Sequence, residues 1–101
     1  MDAQLKKGIL DACVLASLQK GNSYGYMLLK SISTLIDISE STLYPILRRL
    51  KKAEYLTTYS SENNGRLRKY YAITEKGKEK LKIFCNEWQD VVKIFQFIKG
   101  E

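Results

Sequence analysis

Histidine is absent from this chain of 101 residues, and with it goes the commonest general base and metal ligand at neutral pH. There is also no glycine-rich phosphate loop and no metal-ligand cluster. Carboxylates such as Glu75 and Glu79 alternate with lysines along a solvated helix face. These absences argue against catalysis and imply no cofactor and no metal. The only two cysteines, Cys13 and Cys85, stand far apart in apolar surroundings without a Cys-x-x-Cys pair, as expected of buried thiols in a reducing cytoplasm. No apolar run approaches the ~20 residues of a membrane span. At the N-terminus, Lys6 and Lys7 lead into a stretch broken by Asp11 rather than a signal peptide. A cytoplasmic protein with no membrane partner is expected.

Acidic residues are the scarcer charge, 11 against 17 Lys and Arg. The net +6 is concentrated: residues 40–80 hold ten basic and five acidic side chains, or +5, while the flanks nearly balance. A basic block of this kind is the electrostatic footprint of a nucleic-acid face. With 45% apolar and 28% charged residues, the chain has the composition of a folded globular protein.

Leu5, Ile9, Leu10, Cys13, Val14 and Leu18 recur at helical steps and predict a first helix from Ala3 to Gln19. Gly21 can end it, and Asn22 or Ser23 can cap a second helix from Tyr24 to Leu35 that buries Met27, Leu28, Ile32 and Leu35. Gly25 near its start implies close packing against a neighbour. A third helix runs to Lys52, with Ser39 or Ser41 as N-cap, and Pro45 requires either a start near Ser41 or a bent first turn. Tyr55–Ser60 and Leu67–Ile73 read as strands joined by a loop of about six residues. Thr74 can cap a long last helix, with Glu75 favourable in its first turn. The order, helix-helix-helix-strand-strand-helix, predicts a mainly α (α+β) winged helix-turn-helix, with residues 1–74 as the DNA-binding unit and 75–101 as a dimerisation helix.

On a 100° wheel, Leu43, Ile46, Leu47 and Leu50 of the third helix share one side. Ser41, Pro45, Arg48 and Lys52 lie opposite, with Tyr44 and Arg49 on the flanks. A helix held by its leucine side therefore presents hydroxyl, aromatic and guanidinium groups outward, which suit base edges and phosphates. In the second strand Leu67, Tyr71 and Ile73 share one face and Arg66, Arg68 and Tyr70 the other. The core can hold this strand while Arg66, Arg68 and Lys69 reach DNA, and Asn63, Asn64 and Gly65 make a slim turn.

"YGYMLLKSI", "ESTLYPILRRLKKAEYL" and "GRLRKYYAIT" together resemble the PadR family of bacterial transcriptional regulators over about residues 8–80. The resemblance implies a dimeric winged helix that binds a palindromic operator in double-stranded DNA, usually to repress. It also implies that Ser41, Thr42, Tyr44 and Pro45 lie at the DNA-facing start of the recognition helix, with Arg48 on its phosphate side and Arg66, Arg68 and Lys69 on the wing. Leu67 stands where the family often has a proline.

In the last helix Leu81, Phe84, Trp88, Val91, Phe95 and Ile98 step by 3, 4, 3, 4 and 3, the spacing of a coiled-coil seam. An isologous homodimer is the expected use of that stripe. With its single last helix the chain resembles the short form of the family, the branch whose members can bind flat aromatic compounds between subunits with a tryptophan at the matching place, and "NEWQDVVKIF" is similar in layout. That similarity makes Trp88 a candidate effector platform, with Phe84, Val91 and Val92 as walls. The competing reading is a winged helix serving only protein interaction, against which the basic third helix argues.

Overall fold

The computed structural model describes the whole chain, Met1–Glu101. Four helices, α1 (Ala3–Lys20), α2 (Gly25–Ser33), α3 (Glu40–Lys52) and α4 (Glu75–Lys99), are joined by strands β1 (Ser23–Tyr24), β2 (Leu56–Asn63) and β3 (Arg66–Ile73). This is the expected winged helix-turn-helix, with one strand more than the sequence suggested. β1 pairs antiparallel with β3, giving a three-stranded sheet of order β1-β3-β2.

α1 starts at Asp2, whose carboxylate accepts from the N–H groups of Gln4 and Leu5, satisfying two donors that a helix start leaves free. Its inner face is Leu10, Val14, Leu15 and Leu18, while Leu5 is exposed. The inner face therefore lies one residue round from the stripe read off the sequence, and Ile9 and Cys13 turn toward α4 instead. α2 is shorter than expected: it ends at Ser33, leaving Leu35 80% exposed and Met27 at the surface, while Leu28 and Ile32 are buried. Residues 23–24 are claimed by β3 at one end, and the chain turns early at the other.

α3 begins at Glu40, so Pro45 is its sixth residue, beyond the first turn that the sequence suggested for it. The helix accepts it because the carbonyl left without a donor is that of Ser41, at the exposed helix start. Ser39 occupies the N-cap position, but its hydroxyl meets the hydroxyls of Ser41 and Thr42 at 2.9 and 3.2 Å instead of a backbone N–H. At the other end, Glu54 has φ 68°. Glu54 N–H donates to the Lys51 carbonyl and Tyr55 N–H to that of Leu50, a Schellman closure with glutamate where glycine is usual.

The hairpin is tighter than the expected loop. β2 and β3 stay paired out to Asn63 and Arg66, and only Asn64 and Gly65, at φ 55° and 74°, make the turn. Asparagine and glycine both tolerate positive φ and match the twist of the strands. Leu67 pairs opposite Glu62 in the unbroken ladder, where a proline would remove a donor. It is 74% exposed at the tip, beyond the core that holds Tyr71 on the same face.

α4 is capped by Thr74, whose hydroxyl accepts from Gly77 N–H at 3.0 Å. Leu81 completes the core of Leu15, Leu18, Leu28, Ile32, Leu43, Leu47 and Leu50, and Phe84 packs against it. Beyond Trp88 the helix runs free of the body, which explains the extents of 57 × 27 × 21 Å.

Two backbone substitutions test this reading. A Cβ on Gly77 would strike the Tyr55 carbonyl oxygen and come within 2.7 Å of Ile73 Cγ1. Gly77→Ala is therefore expected to lower stability by about 1–3 kcal/mol through overpacking, although alanine is the better helix former. Glu54→Gly, relieving left-handed backbone, is expected to raise stability by about 1 kcal/mol. Urea unfolding midpoints check both.

Candidate nucleic-acid interface

The leucine side of α3 is fully committed to the core: Leu43, Ile46, Leu47 and Leu50 are all buried. That burial fixes the rotation of the helix, so Ser41, Pro45, Arg48 and Lys52 face solvent. The two flanks meet different neighbours.

On one flank Tyr44 lies against α2. A Cβ at Gly25 would come within 2.8 Å of the Tyr44 ring, so the close packing expected of Gly25 is with this side chain. Tyr44 is thus a wedge between α2 and α3 as well as a surface group, 38% exposed. Arg48 and Tyr44 also act electrostatically on the Tyr71 hydroxyl of β3. Burial pushes that phenol above its ordinary range, Tyr44 adds to the rise and Arg48 opposes it. Tyr71 is therefore a neutral hydroxyl at physiological pH. Lys69 of the wing sits 5.7 Å from the Tyr71 ring centre, so this buried tyrosine has a wing cation beside it and also feels the charge of Arg48 of α3.

On the opposite flank Arg49 is bidentate to Asp11 of α1, at 2.9 and 2.6 Å. The hydrogen bond to the Asp11 carboxylate is the main reason that the guanidinium is held above its ordinary range; burial opposes the rise and the carboxylate charge adds to it. Arg49, named from the wheel with the DNA-facing groups, has its charge engaged within the protein. Close by, Thr42, Pro45 and Arg49 share a groove with Lys6 and Lys7 of α1. These two lysines enlarge the positive surface beside α3. Sequence reasoning passed over them because the recognition elements are more than 30 positions away, and only the α1–α3 packing brings them together.

The wing divides its basic residues between its faces. Lys69 shares the inner face with Tyr71, whereas Arg66 and Arg68 project from the outer face with Tyr70. Arg68 does not hang free: its guanidinium carbon is 4.3 Å from the centre of the Tyr24 ring.

The remaining candidates gather on α4. Phe84 and Trp88 stack with centroids 5.8 Å apart and planes 8° from parallel. They border an apolar groove of about 310 Å³ between α1 and α4, which Cys13 and Cys85 also line. Burial pushes the Cys13 thiol up, keeping it protonated, and Cys85 is exposed rather than buried as its surroundings in sequence suggested. Val92 lines a neighbouring groove with Trp88, but Val91 lines neither. Val91, Phe95 and Ile98 are exposed, as are Ile94 and Phe97. Leu81 is buried inside the monomer and so is not free to serve a seam. No helix is long and apolar enough to cross a membrane.

Comparison with known proteins gives a consistent picture. The model of the transcriptional regulator PadR-like family matches residues 14–83. A transcriptional regulator from Clostridium thermocellum is 34% identical, with 95% of each chain covered and a TM-score of 0.85. A PadR-like transcriptional regulator from Bacillus cereus is 32% identical over 98% of this chain and all (100%) of its own, with a TM-score of 0.87. A Streptococcus mutans protein of known structure is 43% identical, covering 90% of this chain and 87% of its own, with a TM-score of 0.81.

The Asp11–Arg49 pair yields a direct test. Both partners are partly exposed, so a double-mutant cycle with Asp11→Asn and Arg49→Gln is expected to give a stability coupling of about 0.5–1 kcal/mol. A coupling of zero by urea denaturation would remove the α1–α3 strut assigned to Arg49.

Proposed function

The chain belongs to the PadR-like family, whose members are transcriptional regulators and not enzymes, and from that premise we propose that it is a homodimeric repressor that binds a palindromic operator. The observation that carries the reading is a pair of exposed basic elements, α3 and the wing, each held to the core by its buried face. The outward face of α3 carries Ser41, Thr42, Tyr44, Pro45, Arg48 and Lys52, and Arg48 acts electrostatically on Tyr71, the buried tyrosine that Lys69 of the wing also approaches.

The division of labour follows from geometry. α3 is a rigid helix whose N-terminal hydroxyls and aromatic ring suit the major groove, and sequence is read there. Its first turn leaves the N–H groups of Glu40 and Ser41 without helical partners, and such donors at a positive helix end favour a phosphate. Lys6 and Lys7 add charge on one side of α3. Arg66, Arg68 and Lys69 carry the wing onto the backbone or into the minor groove.

Two-fold recognition needs a partner chain, and the free half of α4 supports one. Val91, Ile94, Phe95, Phe97 and Ile98 are all exposed in the monomer, a continuous apolar surface of the sort that marks an association site. An isologous pairing through Phe84, Trp88, Val91, Phe95 and Ile98 would cover it. The stacked Phe84–Trp88 pair beside the apolar α1–α4 groove supports a flat aromatic effector held between subunits, with Val92 along one wall. Such a ligand relieves repression if it binds a subunit arrangement that separates the two α3 helices wrongly for the operator. The cytoplasm, where the chromosome is reached, is the proposed location.

Operator affinity should fall with salt by about 0.9 log unit per phosphate contact for each tenfold rise, with half-sites about 34 Å apart. Arg48→Gln should lessen that slope by about one contact. Gel-shift titrations across a salt series on selected genomic fragments check this, and binding indifferent to both salt and two-fold symmetry would overturn the proposal. Phe95→Glu should yield a folded monomer in sedimentation equilibrium that has lost tight operator binding. Trp88 is the sole tryptophan, so its fluorescence reports on the groove directly. A planar acridine dye should quench it in the wild type and bind a Trp88→Ala variant more weakly by calorimetry.

A further inference from the structure

The outer face of the sheet carries a row of three tyrosines set by strand register. Tyr24 of β1 pairs with Tyr70 of β3, and Tyr70 pairs in turn with Tyr59 of β2. The Tyr24 and Tyr70 rings meet edge to face at 5.4 Å, and Tyr70 and Tyr59 are stacked at 5.5 Å. Asn22 closes the row by donating its side-chain N–H to the Tyr59 hydroxyl at 3.1 Å. Each ring is thus held by its neighbour, and the row begins at Tyr24, the ring that carries Arg68.

Arg68 and Arg49 are restrained in opposite ways. Arg49 is oriented by a carboxylate, which cancels its charge. Arg68 has no carboxylate partner, and its Nε is buried without any hydrogen-bond partner. An aromatic face orients a cation through its quadrupole and leaves the net charge in place. A flexible guanidinium in water loses rotamer freedom when it grips a phosphate, which weakens binding. One already stacked has met part of that loss on folding.

We infer that Tyr24 is a positioning residue for the wing: backed by Tyr70 and Tyr59, it holds the Arg68 guanidinium charged and in one orientation, ready for a DNA phosphate. The inference rests on the DNA-binding reading above. It also accounts for β1, which is only two residues long and whose pairing with β3 places Tyr24 beside the wing.

The test uses the full-length chain and two readouts. The first, independent of DNA, is the NMR signal of the Arg68 Nε–H. It should be displaced by the tyrosine ring current in the wild type and in Tyr24→Phe, and return to the usual arginine position in Tyr24→Leu. The second is duplex DNA binding across a salt series. Tyr24→Leu should weaken binding roughly three- to tenfold and lower the salt slope by about 0.9. Arg68→Gln should do the same, and the double variant should be no weaker than Arg68→Gln alone. Tyr24→Phe, which keeps the ring, should bind as the wild type does. A wild-type salt slope in Tyr24→Leu, with Arg68→Gln showing the loss, would overturn the positioning role and leave the DNA-binding reading standing. Losses that add in the double variant would also overturn it, since Tyr24 would then act separately from Arg68. A displaced Arg68 signal together with no wild-type DNA binding would sink the DNA-binding reading, and with it any function for the stack.

Discussion

Three successive carbonyls at the end of α3 tie the structure together. Ala53 accepts from Lys76 Nζ, Glu54 from the Thr74 hydroxyl and Tyr55 from Thr74 N–H. Gly77 then passes so close to the Tyr55 carbonyl that no side chain fits between them. Here the C-terminus of the helix proposed to read DNA, the first wing strand and the start of α4 meet within a few residues. The left-handed Glu54 closes α3 and redirects the chain into β2, while Thr74 caps α4 with the same hydroxyl that binds Glu54. Rotation of α4 about its base therefore cannot occur without disturbing the end of α3. In a dimer paired through α4, this joint would convert the angle between two long helices into the separation of two recognition helices.

The rest of the molecule divides into parts that hold and parts that are left free. The leucine side of α3 fixes its rotation, and Tyr44 and Arg49 brace its flanks against α2 and α1. What remains outward is a narrow strip of Ser41, Pro45, Arg48 and Lys52. The wing follows the same logic, with Tyr71 anchoring one face and the tyrosine row stiffening the other. Restraint without loss of positive charge is the common theme, and Arg49 is the exception that serves structure instead.

How far the sequence foretold these features depended on whether the signal was local. The apolar side of α3 was legible because four leucine and isoleucine positions at helical spacing leave only one rotation that buries them all. Thr74 as a cap, and the presence of a basic wing, followed from short-range chemistry in the same way. Misreadings arose where a distant partner decided. Leu35 looked like part of the α2 stripe, but the helix stops at Ser33. The wheel sets Arg48 opposite the leucines and Arg49 on a flank, both open to DNA, and only Asp11, 38 positions from Arg49, shows that Arg49 is engaged within the protein. The six-residue loop shrank to Asn64-Gly65 because cross-strand pairing extends to the tip.

Taken alone, the sequence determined the class of fold, the family and the region that carries positive charge, since periodicity, capping residues and composition act within a few positions of each other. Tertiary structure decided which charges remain available. Lys6 and Lys7 join the α3 surface, Arg49 leaves it, and Arg68 comes to rest on Tyr24, because α1 and β1 are brought beside elements remote in the chain. An electrostatic surface depends on distances through space, and a linear sequence specifies those only after the core has chosen its packing.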